Sequence, residues 1–411
     1  MKVLLTSYTH SAVDNVLLKM IEKEKLQPEL ATPFIRLGKS SRINPLVYAH
    51  SAERSLTLDP ETDNLQNKFD NLYQSMSFVA TTCLGVNHPA ITTKQQPFDY
   101  CILDEAGQCL MLSALGPLFH AKKFVLVGDP HQLPPLVQSQ KAKRKGMDIS
   151  LFSHLSSKPE NIIPLTMQYR MNEKIQALAN YLTYEGRLEC GSEEVAKQTI
   201  KWTSNPPIGD EPQWIMRTLD TDSIENSLIF LNTDSLDNAM ETTCDLGLYN
   251  PGEGNIVQKI CSLVQNMSPP GTNRTPDIVK QETNKLTIGV IAPYRAQVMH
   301  LRNRLTLTTT NASIDVNTVD QFQGQDKDII IYSCTRSTPQ KIRRDNEEKK
   351  DRDRVDIMCD KRRLNVAITR AKCKLIILGN ARALQSYEPY QRLLNFLQET
   401  GNVLPIQTKD I

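Results

Sequence analysis

The sequence lacks an apolar run long enough to cross a bilayer, and its first residues carry no signal peptide. The seven histidines are scattered without metal-ligand spacing, and the nine cysteines form no Cys-x-x-Cys pair. Several cysteines lie inside apolar runs, so we expect reduced, buried thiols. These absences argue against a membrane protein, a disulfide framework and a cysteine–histidine zinc site.

An excess of charge of one sign is also missing. The 48 lysines and arginines are nearly balanced by 46 aspartates and glutamates, which leaves a formal net charge of +2. Bulk charge therefore does not indicate a nucleic-acid partner, and such a partner has to be argued from local sites. With 411 residues, 39% of them apolar and 23% charged, the chain has the composition of a soluble globular protein with two domains.

Short apolar runs alternate with amphipathic stretches along the chain. Near-continuous apolar runs are typical of parallel strands buried on both faces, and their alternation with helices indicates crossover connections. About ten strands fit two sheets of roughly five better than one large sheet. The predicted strands are Val3–Ser7, Phe34–Leu37, Phe78–Thr82, Tyr100–Leu103, Phe124–Val127, Ser227–Leu231, Leu286–Ile291, Ile314–Thr318, Asp328–Ser333 and Lys374–Leu378. The predicted helices are Ser11–Glu24, Asn172–Tyr184, Ile256–Asn266, Ala296–Leu305 and Tyr390–Glu399.

The predicted fold class is therefore α/β, with two parallel-sheet domains. The division is expected near Ser156–Ile163, where Ser-Ser-Lys-Pro breaks the pattern, which gives domains 1–157 and 158–411. Gly191–Asp222 has few periodic apolar residues and is predicted to be a long surface loop. Pro339–Asp360 is densely charged with both signs and is predicted to be a solvated loop.

The strongest local motif is CILDEAG over residues 101–107, in which an apolar strand ends in Asp104 and Glu105. A ligand can meet such residues in the crevice above the carboxyl ends of parallel strands. In nucleotide-hydrolysing motors, the first carboxylate of such a pair orders magnesium and the second polarises the attacking water. By itself the pair is equally consistent with acidic residues that cap the next helix.

Other motifs follow in a fixed order. FVLVGDPHQLPP over residues 124–135 places Gln132 in a proline-stiffened turn after a strand, where its amide can lie beside a γ-phosphate. QYRMN over residues 168–172 offers the Tyr169 ring for stacking and the Arg170 guanidinium for phosphate. The later members of the set are APYR at 292–295, NTVDQFQGQD at 317–326 and RRLNVAITRA at 362–371. The last of these is predicted to be one amphipathic helix that presents Arg363 and Arg370 from similar faces.

This ordered set resembles the superfamily 1B, or Upf-one-like, helicases. The segments VLLTSYTHSAVDN at 3–15 and LTYEGRLECG at 182–191 resemble, more narrowly, the eukaryotic replication helicase–nuclease subfamily. The resemblance covers nearly the whole chain. It implies two RecA-like domains and an ATP-driven motor that moves 5′ to 3′ on single-stranded DNA, in the nucleus and, as a second compartment, the mitochondrion. A single-strand-binding protein is an implied partner, and no membrane is.

The resemblance also implies roles for individual residues. Asp104 would bind magnesium, Glu105 would activate water, and Gln132 would sense the γ-phosphate of ATP. The remaining implied nucleotide contacts are arginine fingers at Arg170 and Arg370, adenine stacking at Tyr169, and cofactor contacts at Glu253, Gly324 and Asp326. The implied contacts to single-stranded DNA are Ser7, Thr9, His10, Thr81, Thr82, Pro293, Tyr294, Arg295 and Thr318, mainly to the backbone of the nucleic acid.

One expected element is missing from the 411 residues, namely a phosphate-binding loop of the form G-x-x-x-x-G-K-[ST]. Gly38-Lys39-Ser40 does not supply it, because Pro33 stands where the first glycine is needed. In the family that loop precedes the Val3 strand, so we expect the chain to begin after it. We also expect an upstream nuclease domain, with its iron–sulfur cluster, to be missing. Two smaller departures are also present. Gly107 stands where relatives usually carry Ser or another small residue, and Gly254 stands where they usually carry Ala.

Two further interpretations stay open at this point. The chain could be a fragment that binds nucleic acid without catalysis, because nothing in it would retain ATP productively. It could also be an RNA helicase of the same superfamily, although the two subfamily segments indicate DNA.

Overall fold

The computed structural model describes residues 1–57, 76–92, 96–202, 211–265, 267, 285–305, 312–340 and 356–408. The chain divides into two compact units, Met1–Ile163 (unit 1) and Pro164–Ile411 (unit 2). The predicted boundary after residue 157 lies a few residues before this division. No helix in the described ranges is both long and apolar enough to span a membrane.

Unit 1 is built on a five-stranded sheet in which every neighbouring pair is parallel. Its order is β2-β3-β1-β4-β5, with β1 Val3–Ser7, β2 Phe34–Arg36, β3 Phe78–Thr82, β4 Phe98–Asp104 and β5 Ala121–Leu126. The described helices are α1 His10–Leu26, α2 Pro45–Tyr48, α3 Ala52–Thr57, α4 Pro89–Thr92, α5 Met111–Leu118, α6 Gln140–Arg144 and α7 Leu151–Leu155. Short 3-10 turns lie at Pro28–Leu30, Ser40–Arg42, Cys83–Asn87, Ala106–Gln108 and Pro159–Asn161.

The register of unit 1 brings the ends of three strands to one edge. Ser7, the last residue of β1, lies opposite Thr82 on β3 and Asp104 on β4. All five residues of β1 are buried, as expected for a central parallel strand covered on both faces. Helix α1 starts immediately after this edge, because the Thr9 hydroxyl accepts a hydrogen bond from Ala12 N at 3.2 Å and caps the helix.

The strand β5 departs from the prediction of strands buried on both faces. Phe124 is 49% exposed, and Val125, the next residue of the strand, is 46% exposed. Because successive residues of a strand point to opposite faces, apolar surface is exposed on both faces of this edge strand.

Unit 2 is built on a six-stranded sheet, again with parallel neighbours. Its order is β12-β11-β13-β14-β8-β15. The strands of unit 2 are β6 Met167–Gln168, β7 Glu189–Cys190, β8 Leu228–Asn232, β9 Thr242–Cys244, β10 Gly247–Tyr249, β11 Leu286–Ala292, β12 Ala312–Thr318, β13 Lys327–Ser333, β14 Ala371–Gly379 and β15 Val403–Pro405. The α/β class with two parallel sheets is confirmed, and the sheet has one more strand than predicted, the short β15.

The helices of unit 2 cover this sheet and bury a core that includes Ile229, Ile288, Val290 and Ile376. The described helices are α8 Glu173–Ala179, α9 Glu193–Ala196, α10 Gln213–Leu219, α11 Pro251–Gln265, α12 Arg295–Arg304, α13 Lys361–Ile368, α14 Ala381–Leu384 and α15 Glu388–Glu399. A π-helical turn, Asn180–Tyr184, continues α8, and 3-10 turns lie at Ile224–Asn226 and Ile357–Cys359.

The predicted surface loop Gly191–Asp222 is wrong in part. It contains α9 and α10, and Trp214 and Ile215 on α10 are 2% and 1% exposed in the core. A helix of only seven residues, directly after Pro212, gives too short a periodic pattern to be recognised. The second predicted loop, Pro339–Asp360, lies largely outside the described residues, but its end is packed, since Asp356 and Met358 are buried.

Candidate active site and nucleic-acid interface

The two acidic residues of the CILDEAG motif lie at the carboxyl end of β4. Asp104 ends the strand, and burial raises the pKa of its carboxyl group. Glu105 follows with a positive φ of 51°, an uncommon conformation for a residue with a side chain. It is held there because Ala106 N donates to Val127 O at 2.8 Å and Gln108 Nε2 donates to Glu105 Oε2 at 2.7 Å. The turn therefore separates the directions of the two neighbouring carboxylates.

The loop after β5 lies against this turn. Gln132 is half-buried, and its Nε2 donates to Asp129 Oδ2 at 3.2 Å, while His131 N donates to Asp129 Oδ1 at 2.8 Å. A Cβ on Gly107 would lie 3.3 Å from Asp129 O, and one on Gly128 would lie 3.1 Å from Gly107 N. Glycine at 107 thus permits close approach of the two loops. Asp104, Glu105 and Gln132 are carried by adjacent loops.

These residues suit a magnesium–nucleotide site. Among the described residues, no group of three or more His, Cys, Asp or Glu side chains is placed to hold a metal ion. Magnesium commonly takes only one or two protein carboxylates and completes its shell with water and phosphate oxygens. Asp104 fits the part of such a single protein ligand.

In unit 2, Gln168 shapes the turn that carries Tyr169 and Arg170. Its Oε1 accepts from Arg170 N at 2.8 Å and from Met171 N at 2.7 Å, and its Nε2 donates to Met171 O at 2.7 Å. The turn leaves the Tyr169 ring 67% exposed, so it is accessible for stacking. The QYRMN motif therefore forms a defined local structure. The Gln168 amide stabilises this turn, a role that the sequence pattern did not indicate.

Two predicted cofactor contacts lie beside Arg170. Arg170 Nε is 3.5 Å from Asp326 Oδ2, and Arg170 Nη1 donates to Thr369 O at 3.2 Å. The other oxygen of Asp326 lies 2.9 Å from Lys372 Nζ. Gly324 lies in the exposed turn that leads to Asp326 and has a φ of 77°. Arg170 and Asp326 thus form one surface pair, and Gly324 lies two residues before Asp326 in the chain.

Arg370 is in a different setting from the predicted one. The helix α13 ends at Ile368, so Arg363 and Arg370 do not share a helix face. Arg370 is only 1% exposed, and its guanidinium donates to Val366 O at 2.9 Å, Thr369 Oγ1 at 2.8 Å and Gln325 O at 3.3 Å. The seven-residue spacing predicted a surface pair because it assumed that the helix continued. The observed guanidinium is bound inside unit 2.

Glu253 is also buried. Its carboxylate has no exposed surface, and its Oε2 accepts from Ser333 Oγ and, at 2.9 Å, from Thr335 N. Burial raises the pKa of Glu253 to about 8. A direct contact with a cofactor would require this packing to open, so the observed contacts are those of a structural residue.

The implied DNA contacts of unit 1 separate into buried and accessible side chains. Ser7 and Thr81 are 0% and 1% exposed, and Thr81 Oγ1 donates to Leu37 O at 3.2 Å. Thr82 is nearly buried and accepts from Gly85 N. Thr9 is exposed and His10 is half-buried. A nucleic acid could therefore meet Thr9 and His10 through their side chains, but the others only through backbone atoms.

The implied contacts of unit 2 separate in the same way. Pro293 is buried, and the Tyr294 hydroxyl donates to Asp356 Oδ1 at 2.9 Å and accepts from Arg336 Nε at 2.8 Å. Arg295 is exposed at the start of α12. Thr318, half-buried, ends β12 beside the end of β11. Arg295 and Thr318 are the accessible members.

An ionic network that no sequence motif indicated lies behind Tyr294. Arg336 is 5% exposed and pairs with Asp356 at 2.7 Å and Glu241 at 3.0 Å. Tyr387 Oη also reaches Asp356, at 3.3 Å. Asp356 belongs to the charged run predicted to be solvated, and no local pattern distinguishes it from its neighbours.

Comparison with known proteins places these features in a family. Two models described as AAA domain match residues 57–140 and 147–382. The second alone covers more than half of the chain. The chain belongs to this AAA domain family. Its ordered motifs make it a Upf-one-like helicase of superfamily 1.

The chain is 38% identical over 418 aligned residues to the human DNA replication ATP-dependent helicase/nuclease DNA2 and 40% identical over 409 to that of Xenopus laevis. These alignments cover 99% and 98% of this chain, but the chain spans only 35% of either relative. A solved complex of Arterivirus nonstructural protein 10 (helicase) with DNA aligns with 94% of this chain and 56% of its own, at 11% identity and a TM-score of 0.41.

Proposed function

We propose that the chain is the motor part of an ATP-dependent helicase that acts on single-stranded DNA and flap intermediates in replication and repair. The observation that supports it most is the convergence of Asp104, Glu105 and Gln132 on adjacent loops at the carboxyl edge of the first sheet. Open parallel sheets bind ligands at that edge. The family membership and the helicase/nuclease relatives supply the reaction class.

Within this proposal, Asp104 holds magnesium, Glu105 polarises the attacking water, and Gln132 contacts the γ-phosphate. Magnesium would neutralise charge that develops on the phosphate oxygens. In unit 2, Tyr169 stacks on adenine, Asp326 and Gly324 lie by the ribose, and Arg170 stabilises the transferring phosphoryl group. Arg370, as placed here, supports the Arg170 turn through Thr369, and a direct role in catalysis would need its guanidinium to be released.

The DNA contacts proposed for side chains are Thr9, His10, Arg295 and Thr318, with backbone contacts at the ends of β1 and β3. Translocation is proposed to run 5′ to 3′, in the nucleus and, second, in the mitochondrion, with a single-strand-binding protein as a partner. The iron–sulfur cluster that the resemblance implies belongs to the nuclease domain of the family, and no cluster is proposed for these residues.

The 411 residues contain no G-x-x-x-x-G-K-[ST] motif. We therefore propose that this chain hydrolyses ATP near background. The loss of charge stabilisation from the loop costs several kcal/mol, or a factor of about 10³ or more in rate. Phosphate release at saturating single-stranded DNA measures this. A turnover of several per second that disappears in Glu105→Gln would show that these residues bind phosphate by another route.

Binding to single-stranded DNA tests the proposal without hydrolysis. We expect weak, sequence-indifferent binding whose salt dependence corresponds to about two to four released ions, because few basic residues face the proposed contacts. Fluorescence anisotropy with matched DNA and RNA oligonucleotides across a salt series measures it, with circular dichroism as the folding control. Tighter binding of RNA would favour the RNA helicase alternative. A folded chain that binds neither at low salt would refute the proposed interface.

The absence of the loop motif also favours a second candidate, a nucleic-acid-binding chain without catalysis. Binding without DNA-stimulated hydrolysis, unaffected by Glu105→Gln, is the outcome expected for it.

A further inference from the structure

Arg36, on β2, is a fully buried cation in unit 1 with three different partners. Its Nε forms an ion pair with Asp14 Oδ1 at 2.8 Å, its Nη1 donates to Leu37 O at 2.6 Å, and its Nη2 lies 3.0 Å from His10 Nδ1. The arginine side chain is 0% exposed and that of Asp14 is 5% exposed. A planar guanidinium with fixed donors therefore holds the His10 ring in one orientation.

The contact with His10 determines where the imidazole carries its proton. An arginine in a protein only donates hydrogen bonds and does not lose its charge. His10 Nδ1 must therefore accept, and an accepting ring nitrogen cannot carry a proton. The proton of the neutral ring lies on Nε2, and the imidazolium form, in which both nitrogens donate, is incompatible with the contact.

The charged surroundings of His10 act in the same direction. Its pKa is lowered, first by burial and then by the positive charges of Arg36 and Arg42, with Asp14 acting in opposition. These are the charged groups that face His10 from β2, the Ser40–Arg42 turn and α1. A histidine with lowered pKa stays neutral at pH 7, in agreement with the hydrogen-bond geometry.

The second ring nitrogen is available. No residue in the described part of the chain accepts a hydrogen bond from His10 Nε2, although the ring is half-buried. In the same turn, the Ser7 hydroxyl is buried and has no hydrogen-bond partner among the described residues. The Ser7 hydroxyl is too deeply buried to reach a ligand, whereas His10 Nε2 is not among the buried unpaired atoms, so its N–H is accessible and can donate to an acceptor oxygen of a ligand.

We propose that Arg36 is a positioning residue that makes His10 an uncharged Nε2–H donor to a backbone phosphate of single-stranded DNA. This inference rests on the proposed function, since the phosphate belongs to the DNA assigned there. A neutral donor fixes the strand without releasing a counterion. His10 therefore contributes to affinity but not to its salt dependence, and protonation between pH 8 and pH 6 adds nothing.

The tautomer is measured in the unliganded chain, so this test is independent of DNA binding. Ring 15N chemical shifts in a histidine-labelled sample distinguish the two neutral tautomers and the imidazolium. The sequence has seven histidines, and the signal missing from His10→Gln identifies His10. We expect the Nε2–H form, unchanged from pH 8 to pH 6. An Nδ1–H tautomer or an imidazolium at pH 6 would overturn the inference.

Arg36→Lys tests the positioning role. A lysine can keep the charge beside Asp14 but cannot also donate to Leu37 and His10. We expect His10 to titrate in this variant. Both the DNA affinity and its salt dependence should then rise as pH falls from 8 to 6, with about one more ion released on binding. The wild-type chain should show neither pH effect. If Arg36→Lys does not fold, the wild-type 15N and pH measurements still decide.

The variants His10→Leu and His10→Gln test the donor. Leucine removes it, and we expect the affinity for single-stranded DNA to fall roughly ten-fold or more, the factor that corresponds to one hydrogen bond to a charged group. Glutamine retains an N–H donor and should keep more of the affinity. The exposed His154, replaced by glutamine, is the matched control. Equal losses for both His10 variants would overturn the donor role. A wild-type chain with the expected tautomer but no DNA affinity would refute the proposed function and leave the tautomer established.

Discussion

Glu253→Gln should change the pH dependence of the stability of unit 2. Glutamine keeps the carbonyl oxygen that accepts from Ser333 and Thr335, so the hydrogen bonds survive. These bonds matter because Thr335, a β-branched residue, has a φ of 71° in a tight turn closed by Arg336 N and Cys334 O at 2.8 Å. The substitution removes the titration and also places the amide NH2 at the position of Oε1, which has no hydrogen-bond partner among the described residues; this second effect does not depend on pH.

The magnitude follows from the pKa of Glu253, which burial raises from 4.5 to about 8. Between these values the folded state keeps a proton that the unfolded state has lost, so stability falls as pH rises. The contribution of Glu253 to the free energy of unfolding is fully present below about pH 4.5 and is lost by about pH 8. At about 1.4 kcal/mol per pH unit, the upper limit of this loss is roughly 5 kcal/mol. We expect a measured loss of a few kcal/mol.

Urea unfolding from pH 5 to pH 8.5 measures this effect. The sequence has two tryptophans, and both Trp202 and Trp214 belong to unit 2, so their fluorescence reports that unit alone. The difference between wild type and Glu253→Gln cancels the titration of other groups. Glu399→Gln, at an exposed position, is the matched control.

We expect Glu253→Gln to gain stability relative to wild type as pH rises, and Glu399→Gln to follow wild type. A constant difference between wild type and Glu253→Gln across this range would show that Glu253 is ionised in the folded protein. It would refute the argument from burial.

Three further predictions concern unit 2. Asn172→Ala should lower its free energy of unfolding by about 2–4 kcal/mol in urea, because the two N–H groups of the buried amide are shared among three acceptor oxygens and the amide oxygen caps α8; a loss under 1 kcal/mol would contradict this. Arg370→Ala should lower the stability of unit 2 by about 2–4 kcal/mol in the same assay, and the matching substitution in a relative that hydrolyses ATP should abolish ATPase while DNA affinity stays within a few-fold; an equal loss of DNA binding would place Arg370 at the DNA. Burial lowers the pKa of Lys374 to about 7. The free energy of unfolding of the wild type should therefore rise from pH 7 toward pH 10 relative to that of Lys374→Met. Parallel plots of this free energy against pH for the two proteins would contradict the lowered pKa.

The sequence predicted the sheets well because parallel strands are nearly continuous apolar runs. The runs at Val3–Ser7 and Phe78–Thr82 match the observed strands to the residue, and all ten predicted strands are present. Register could not be predicted, because it depends on which strands become neighbours. Only the pairing shows Ser7 opposite Thr82 and Asp104.

Errors arose where a local pattern was short or ambiguous. The seven residues of α10 gave no periodicity, although Trp214 lies in the core. Helical spacing was extended through Arg370, although the helix ends two residues earlier. In both cases tertiary packing determined the outcome, since burial and a cap outweigh local propensity.

The chemical groups were determined by the sequence itself: the acidic pair at 104–105, the glutamine in its proline-stiffened turn, and the order of motifs that identifies the family. The protonation states of other side chains were decided by tertiary structure. Burial raises the pKa of Glu253, and the Arg36 contact fixes the proton of His10, because desolvation and hydrogen-bond direction depend on residues distant in sequence. A sequence motif specifies which side chains are available, and only the folded chain specifies which of them are buried, bonded or left accessible to a ligand.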